Sequence, residues 1–250
     1  LNFDKFRSIF KKFLELGTLK KFFITYFACW GGFLSTIVVG KFLNSFFTVE
    51  KAGAVADAKF EAISTVVASK VGFNYYSAVF SYFINNSLAC ISIILAFILV
   101  SYLYKKEISS GKSTIREYLN SLIIFYLLVI INPLTGILGV DLNFSDLGVL
   151  IPHGIFEFAG LAFSIVLGLE YAIYNLPLDE TKKYGAPQFP YSIKFLVKVF
   201  GALALISIAA IIEPLDWAIY TYAKNNGMPV LETIIMAYGN LISHFLGKII

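Results

Sequence analysis

Five stretches of this chain are apolar for about 20 residues or more, the length a helix needs to cross a hydrocarbon core of about 30 Å. They run over Phe22–Leu43, Tyr76–Tyr104, Leu119–Val140, Leu150–Tyr174 and Tyr191–Ile212. The second is long enough to tilt or to project beyond the bilayer. Three further segments alternate apolar and charged positions. In residues 1–21, Phe3, Phe6, Ile9, Phe10, Phe13 and Leu14 recur at helical spacing among Lys5, Arg7, Lys11, Lys12, Lys20 and Lys21. That pattern predicts a basic amphipathic helix, lying along an anionic leaflet or serving as an orientation signal. Residues 44–75 are Ala-rich and carry Glu50, Lys51, Asp57, Lys59, Glu61 and Lys70, which predicts an extramembrane helix. Val230–Ile250 is punctuated by Glu232, Asn240, His244 and Lys248, which favours a surface helix over a sixth span.

The pattern therefore predicts an all-α fold: a polytopic integral membrane helix bundle of about five transmembrane helices plus amphipathic extramembrane helices. It forms one domain over 1–250. Within it lie the N-terminal helix 1–21, a bundle over 22–222 that includes the outer helix 44–75, and a C-terminal surface helix over 223–250.

Composition agrees with the pattern. Hydrophobic residues make up 58% of the chain, charged residues only 14%, and mean hydropathy is +0.77; soluble domains carry about 25% charge. The 25 Phe and 15 Tyr suit spans with aromatic ends at both interfaces. A net charge of +4 is dispersed along membrane-flanking segments, so no nucleic-acid partner is expected. Cys29 and Cys90 fall inside apolar runs and read as small core residues and not as a disulfide. The first apolar run is too long, and lacks a small-residue cleavage site, for a signal peptide. With the N terminus inside, 14 of the 20 lysines and arginines fall in 1–21, 105–118 and 176–198 on the cytoplasmic side. The positive-inside rule then predicts a multi-pass protein of the cell membrane with a cytoplasmic N terminus.

That orientation gives depth to the polar residues inside the spans. Asn85 and Asn86 fall near the midplane of the second span, and Asn132, before Pro133, in the outer half of the third. His153 and Glu157 lie in the first two turns of the fourth span, entered from outside, while Glu213 and Asp216 end the fifth. Asn85, Asn86, Asn132, His153, Glu157 and Glu213 thus form a candidate binding or pore-lining set between midplane and outer surface. His153 and Glu157 are spaced i, i+4 and share a helix face. An ionisable pair inside a membrane span is costly, up to a few kcal/mol per group, which points to function. A buried Asn–His–Glu network also serves simply to hold helices in register, at about 0.6–2 kcal/mol per interhelical hydrogen bond. Glu213 reads equally as an interfacial carboxylate, and His244 as a surface residue. Pro152 costs no hydrogen bond in a first helical turn. Gly31, Gly32 and Gly40, with Gly160 and Gly168, offer small faces for close helix packing, and those of the first span would suit a homodimer.

Several of these residues, in this order and spacing, resemble the stage II sporulation protein M family of polytopic membrane proteins. The resemblance covers Asn85-Asn86, Asn132, Pro152-His153-Gly154-Ile155-Phe156-Glu157 and Ala209-Ala210-Ile211-Ile212-Glu213, with the region 22–216 as a whole. The departure is Asn132-Pro133, where the family often has Asn-Gly. The resemblance implies a non-catalytic scaffold or recruitment subunit, and partners among membrane and cell-envelope proteins.

Gly111-Lys112-Ser113 ends like a nucleotide-binding loop, but Lys106 stands where its first glycine is needed and no strand precedes it. Nothing supports Ser/His/Asp hydrolysis. Three functions remain in play. The first is a scaffold that docks partners through its extramembrane segments, non-enzymatic and without a cofactor. The second is a small-solute or ion transporter or channel lined by the outer polar set. The third is an intramembrane metal-dependent enzyme with His153, Glu157 and Glu213 as ligands; a single histidine among carboxylates suits a weakly held or hard ion better than zinc.

Overall fold

The computed structural model describes residues 3–44, 46, 54–131, 143–174 and 193–246. These residues form α1 (Phe3–Leu14), α2 (Thr18–Asn44), α3 (Ala54–Val71), α4 (Tyr75–Ser109), α5 (Ile115–Ile131), a 3-10 helix (Phe144–Leu150), α6 (Ile151–Tyr174), α7 (Ile193–Asn225) and α8 (Val230–Leu246), with no strand among them. The protein is an all-α, multi-pass membrane helix bundle. Four stretches among the described residues are long and apolar enough to cross a membrane: Thr18–Leu43, Tyr75–Ser109, Phe144–Tyr174 and Ile193–Asn225. α5 opens the third expected span, whose residues 132–140 lie outside the described ones.

α6 is the axis of the bundle, packed between α2, α4 and α7. From Gly160 to Ile173 every residue except Phe163 is buried. In its most apolar window 61% of residues are buried, against 22–28% in the other three spans. Those three turn large side chains outward, among them Phe27, Leu99 and Phe200, as a lipid-facing surface requires. Glycines let the backbones approach α6 and α2. A Cβ on Gly160 would meet Ile206 at 2.7 Å, one on Gly168 would meet Phe97 at 2.6 Å, and one on Gly32 would meet the Ile130 carbonyl oxygen of α5 at 2.5 Å. Gly32 is thus taken by a neighbour within the chain, while Gly31 faces open space.

Three boundaries differ from the sequence reading. The basic segment 1–21 is not one helix: α1 stops at Leu14 and α2 starts at Thr18, with Gly17 between. The apolar stripe of α1 is spent on protein, since Phe10 and Phe13 pack on the Tyr126 ring of α5 at 5.6 and 5.3 Å and Arg7 donates to Asn120. The fifth span does not end at Glu213. α7 continues through Pro214 to Asn225, so Glu213 and Asp216 sit inside a helix, on either side of a proline. Lacking an N–H, Pro214 leaves the Ala210 carbonyl without its helical donor. Tyr75 at the head of α4 donates its hydroxyl to the next carbonyl, that of Ile211, at 2.6 Å. The extramembrane helix is shorter than 44–75 and folds back on α4, with Phe60 against Tyr82 at 4.7 Å.

Short-range chemistry explains the turns. Asn74 caps α4 in a reciprocal box with Ser77. Gly111, at φ +72°, ends the same helix in a left-handed conformation that suits glycine. Thr114 and Glu117 then start α5: the Thr114 N–H donates to the Glu117 carboxylate at 2.7 Å, and the Glu117 N–H donates to the Thr114 hydroxyl. Gly111-Lys112-Ser113 is therefore a helix–turn–helix corner.

Candidate metal centre

His153 and Glu157 sit on the same face of α6, and the α6–α7 packing brings Glu213 to them. His153, Glu157 and Glu213 each offer one ligand atom, and these atoms lie within 4.8 Å of one another. His153 is buried, and the Glu213 side chain is 12% exposed. The separation is on the scale of a coordination sphere, since ligand atoms on opposite sides of a cation at about 2.0–2.2 Å sit about 4–4.4 Å apart.

Asp216, fully buried one turn after Glu213, organises the histidine. Its Oδ2 accepts from the His153 backbone N–H at 3.2 Å and lies 2.7 Å from Nδ1 of the ring. Its Oδ1 accepts the Tyr238 hydroxyl of α8 at 2.6 Å. Donation to this acceptor places a hydrogen on Nδ1, and in the neutral ring Nε2 is then the nitrogen with the lone pair. Nε2 is the atom that faces Glu213, at 4.0 Å from Oε1. Burial, together with the bond to Asp216, raises the Tyr238 phenol above its ordinary value, so the hydroxyl stays a donor. Glu213 Oε2 is buried and has no hydrogen-bond partner among the described residues. Trp217 lies beside Glu213, Tyr82 is near both glutamates, and Cys90 is near Glu157.

Of the six residues singled out from sequence, the structure brings three together: His153, Glu157 and Glu213. Asn85 and Asn86 are on α4, where Asn85 donates to Asn86 at 3.0 Å. Asn132 lies outside the described residues. His244 is exposed on α8. Cys29 and Cys90 are buried and unbridged.

Over 264 aligned residues the chain is 37% identical to the uncharacterized protein MJ0096 of Methanocaldococcus jannaschii, covering 98% of each. The chain belongs to the family of that archaeal protein. No family model matches the chain. No solved structure matches it either. The shared length takes in both helices that build the His153 cluster.

Sequence reasoning missed Asp216 and Tyr238 as parts of this centre. Asp216 had one signal: it falls three residues after Glu213, on the same helix face, if the helix runs on past Pro214. Tyr238 had none.

A second buried ionic group escaped notice altogether. Near the other end of α6, Glu170 accepts the Thr18 hydroxyl at 2.6 Å. It also faces Lys21 at 3.5 Å and Lys198 at 3.6 Å. These residues join the starts of α2 and α7 to the close of α6.

Proposed function

We propose that the protein is an ion transporter or channel of the cell membrane, N terminus cytoplasmic, that takes a divalent cation at His153, Glu157 and Glu213. The observation that carries this reading is charge. Three carboxylates, those of Glu157, Glu213 and Asp216, share one buried neighbourhood with a single histidine, and no lysine or arginine is paired to them among the described ion pairs. Buried charges are retained when paired or when they coordinate a metal.

The test uses purified full-length protein. Metal counting after equilibration with a panel of divalent ions should return about one ion per chain. The double substitution His153→Ala with Glu157→Gln should abolish it, together with ion flux into proteoliposomes. A protein that binds no divalent ion, or whose binding survives the double substitution, overturns the proposal.

The scaffold reading has its own support. The hairpin of α3 and α4 ends in Phe73, 93% exposed, beside the exposed Tyr76, a surface suited to a membrane or envelope protein partner. Kinship with the stage II sporulation M proteins belongs to the proposal as well. Its two most telling segments, Pro152–Glu157 and Ala209–Glu213, are the two that supply the cation ligands.

A further inference from the structure

We infer that the His153 centre selects a first-row transition-metal ion of the Mn2+ or Fe2+ kind over Mg2+ and Ca2+, with Asp216 as the positioning residue that enforces the choice. This rests on the reading of the cluster as a cation site. Two glutamates alone would favour hard ions, since carboxylate oxygens suit Mg2+, Ca2+ and Mn2+ alike. A neutral imidazole nitrogen shifts the preference, because it is a good ligand for iron and its neighbours and a poor one for Mg2+ and Ca2+. One nitrogen to two carboxylates is also the ratio of ligands to metals in the carboxylate-rich four-helix bundles, where two His and four Glu serve two ions.

The decisive group is the third carboxylate. Asp216 is held by its own helix, beyond Pro214, and contacts the ring nitrogen that points away from Glu213. By accepting from Nδ1–H it fixes the ring plane and the tautomer, so Nε2 keeps its lone pair toward the glutamates. The backbone N–H of His153 on the same Oδ2 sets the start of α6 against α7, and the Tyr238 hydroxyl fills the other oxygen. Asp216 thus has three donors and is engaged away from the Nε2 side of the ring. It acts through His153. A histidine free to turn, or carrying its hydrogen on Nε2, would leave an oxygen-only site that Mg2+ and Ca2+ serve as well.

The test is competition on the full-length protein in detergent or nanodiscs, with Mn2+ followed by electron paramagnetic resonance. Native protein should hold about one Mn2+ per chain against a 100-fold excess of Mg2+ or Ca2+. Asp216→Asn can offer an amide N–H to Nδ1 and so favour the other tautomer. It should lose about 10–100-fold in Mn2+ affinity, while Mg2+ affinity moves less than about threefold. Should Asp216→Asn fail to fold, His153→Gln, which keeps a polar donor without an imidazole, should collapse the Mn2+/Mg2+ ratio in the same way. Displacement of Mn2+ by equimolar Mg2+, or equal losses for both ions in Asp216→Asn, overturns the inference and leaves the cation site standing. Failure of every divalent ion to bind overturns the reading beneath it.

Discussion

α6 carries two buried ionic clusters, and they are built on opposite principles. At the Glu170 end, one carboxylate meets two ammonium groups and a hydroxyl. At the His153 end, three carboxylates meet one imidazole. The carboxylate of the first is compensated within the chain, by the buried Lys21 and the part-exposed Lys198, while the second is in deficit by positive charge. A carboxylate compensated in this way needs no further cation and reads as a fixed joint between the starts of α2 and α7 and the close of α6. A group in deficit is neutralised by protons or by a bound cation, and under the proposed reading the contrast puts structure at one end and cation binding at the other.

That assignment can be broken. The largest effect should come from Lys21→Met, which leaves Glu170 buried with only the half-exposed Lys198 and should cost about 3–5 kcal/mol of stability. Thermal denaturation of the solubilised protein would show it, and Lys21→Met with Glu170→Met should recover most of the loss. An unchanged midpoint in the single variant would mean that the Glu170 cluster is not a joint. Next in size, native protein at 100 times the dissociation constant for Mn2+ should gain about 2.7 kcal/mol. Glu157→Gln with Glu213→Gln should lose that gain while keeping the metal-free midpoint at or above native. A marked drop in the metal-free midpoint would show that the His153 cluster also holds the bundle together. Smallest, Tyr238→Phe removes one hydrogen bond to a charged acceptor, about 1.5 kcal/mol, and should weaken Mn2+ binding several-fold by loosening Asp216. Unaltered Mn2+ affinity would place Tyr238 outside the centre.

The sequence makes the helices legible because long apolar runs have few alternatives in a membrane. It makes His153 and Glu157 legible because i, i+4 spacing is a local fact. Pro214 misleads: a proline between two acids reads as a helix end, yet α7 passes through it, with Tyr75 from α4 bonded to the adjoining Ile211 carbonyl. The Glu170 cluster is hidden for a different reason. Each member stands near a span end, where a lone charge ordinarily reaches the headgroups, and Thr18 is 152 residues from the glutamate it serves. Asp216 lies 63 residues from His153, and nothing local in either segment announces the other. Polar partners in a helical bundle are chosen by packing, which hydropathy does not encode.

The central position of α6 has a consequence for how the chain is made. In chain order, His153, Glu157 and Glu170 reach the membrane after Lys21 and ahead of Lys198 and Asp216. Each ionisable residue opposes insertion, by about 2.5–3.5 kcal/mol at mid-helix and by less toward a helix end. The most enclosed helix of the finished bundle thus carries ionisable groups that lipid alone does not satisfy. Its polar partners come with α7, so α6 gains by entering the bilayer together with that helix.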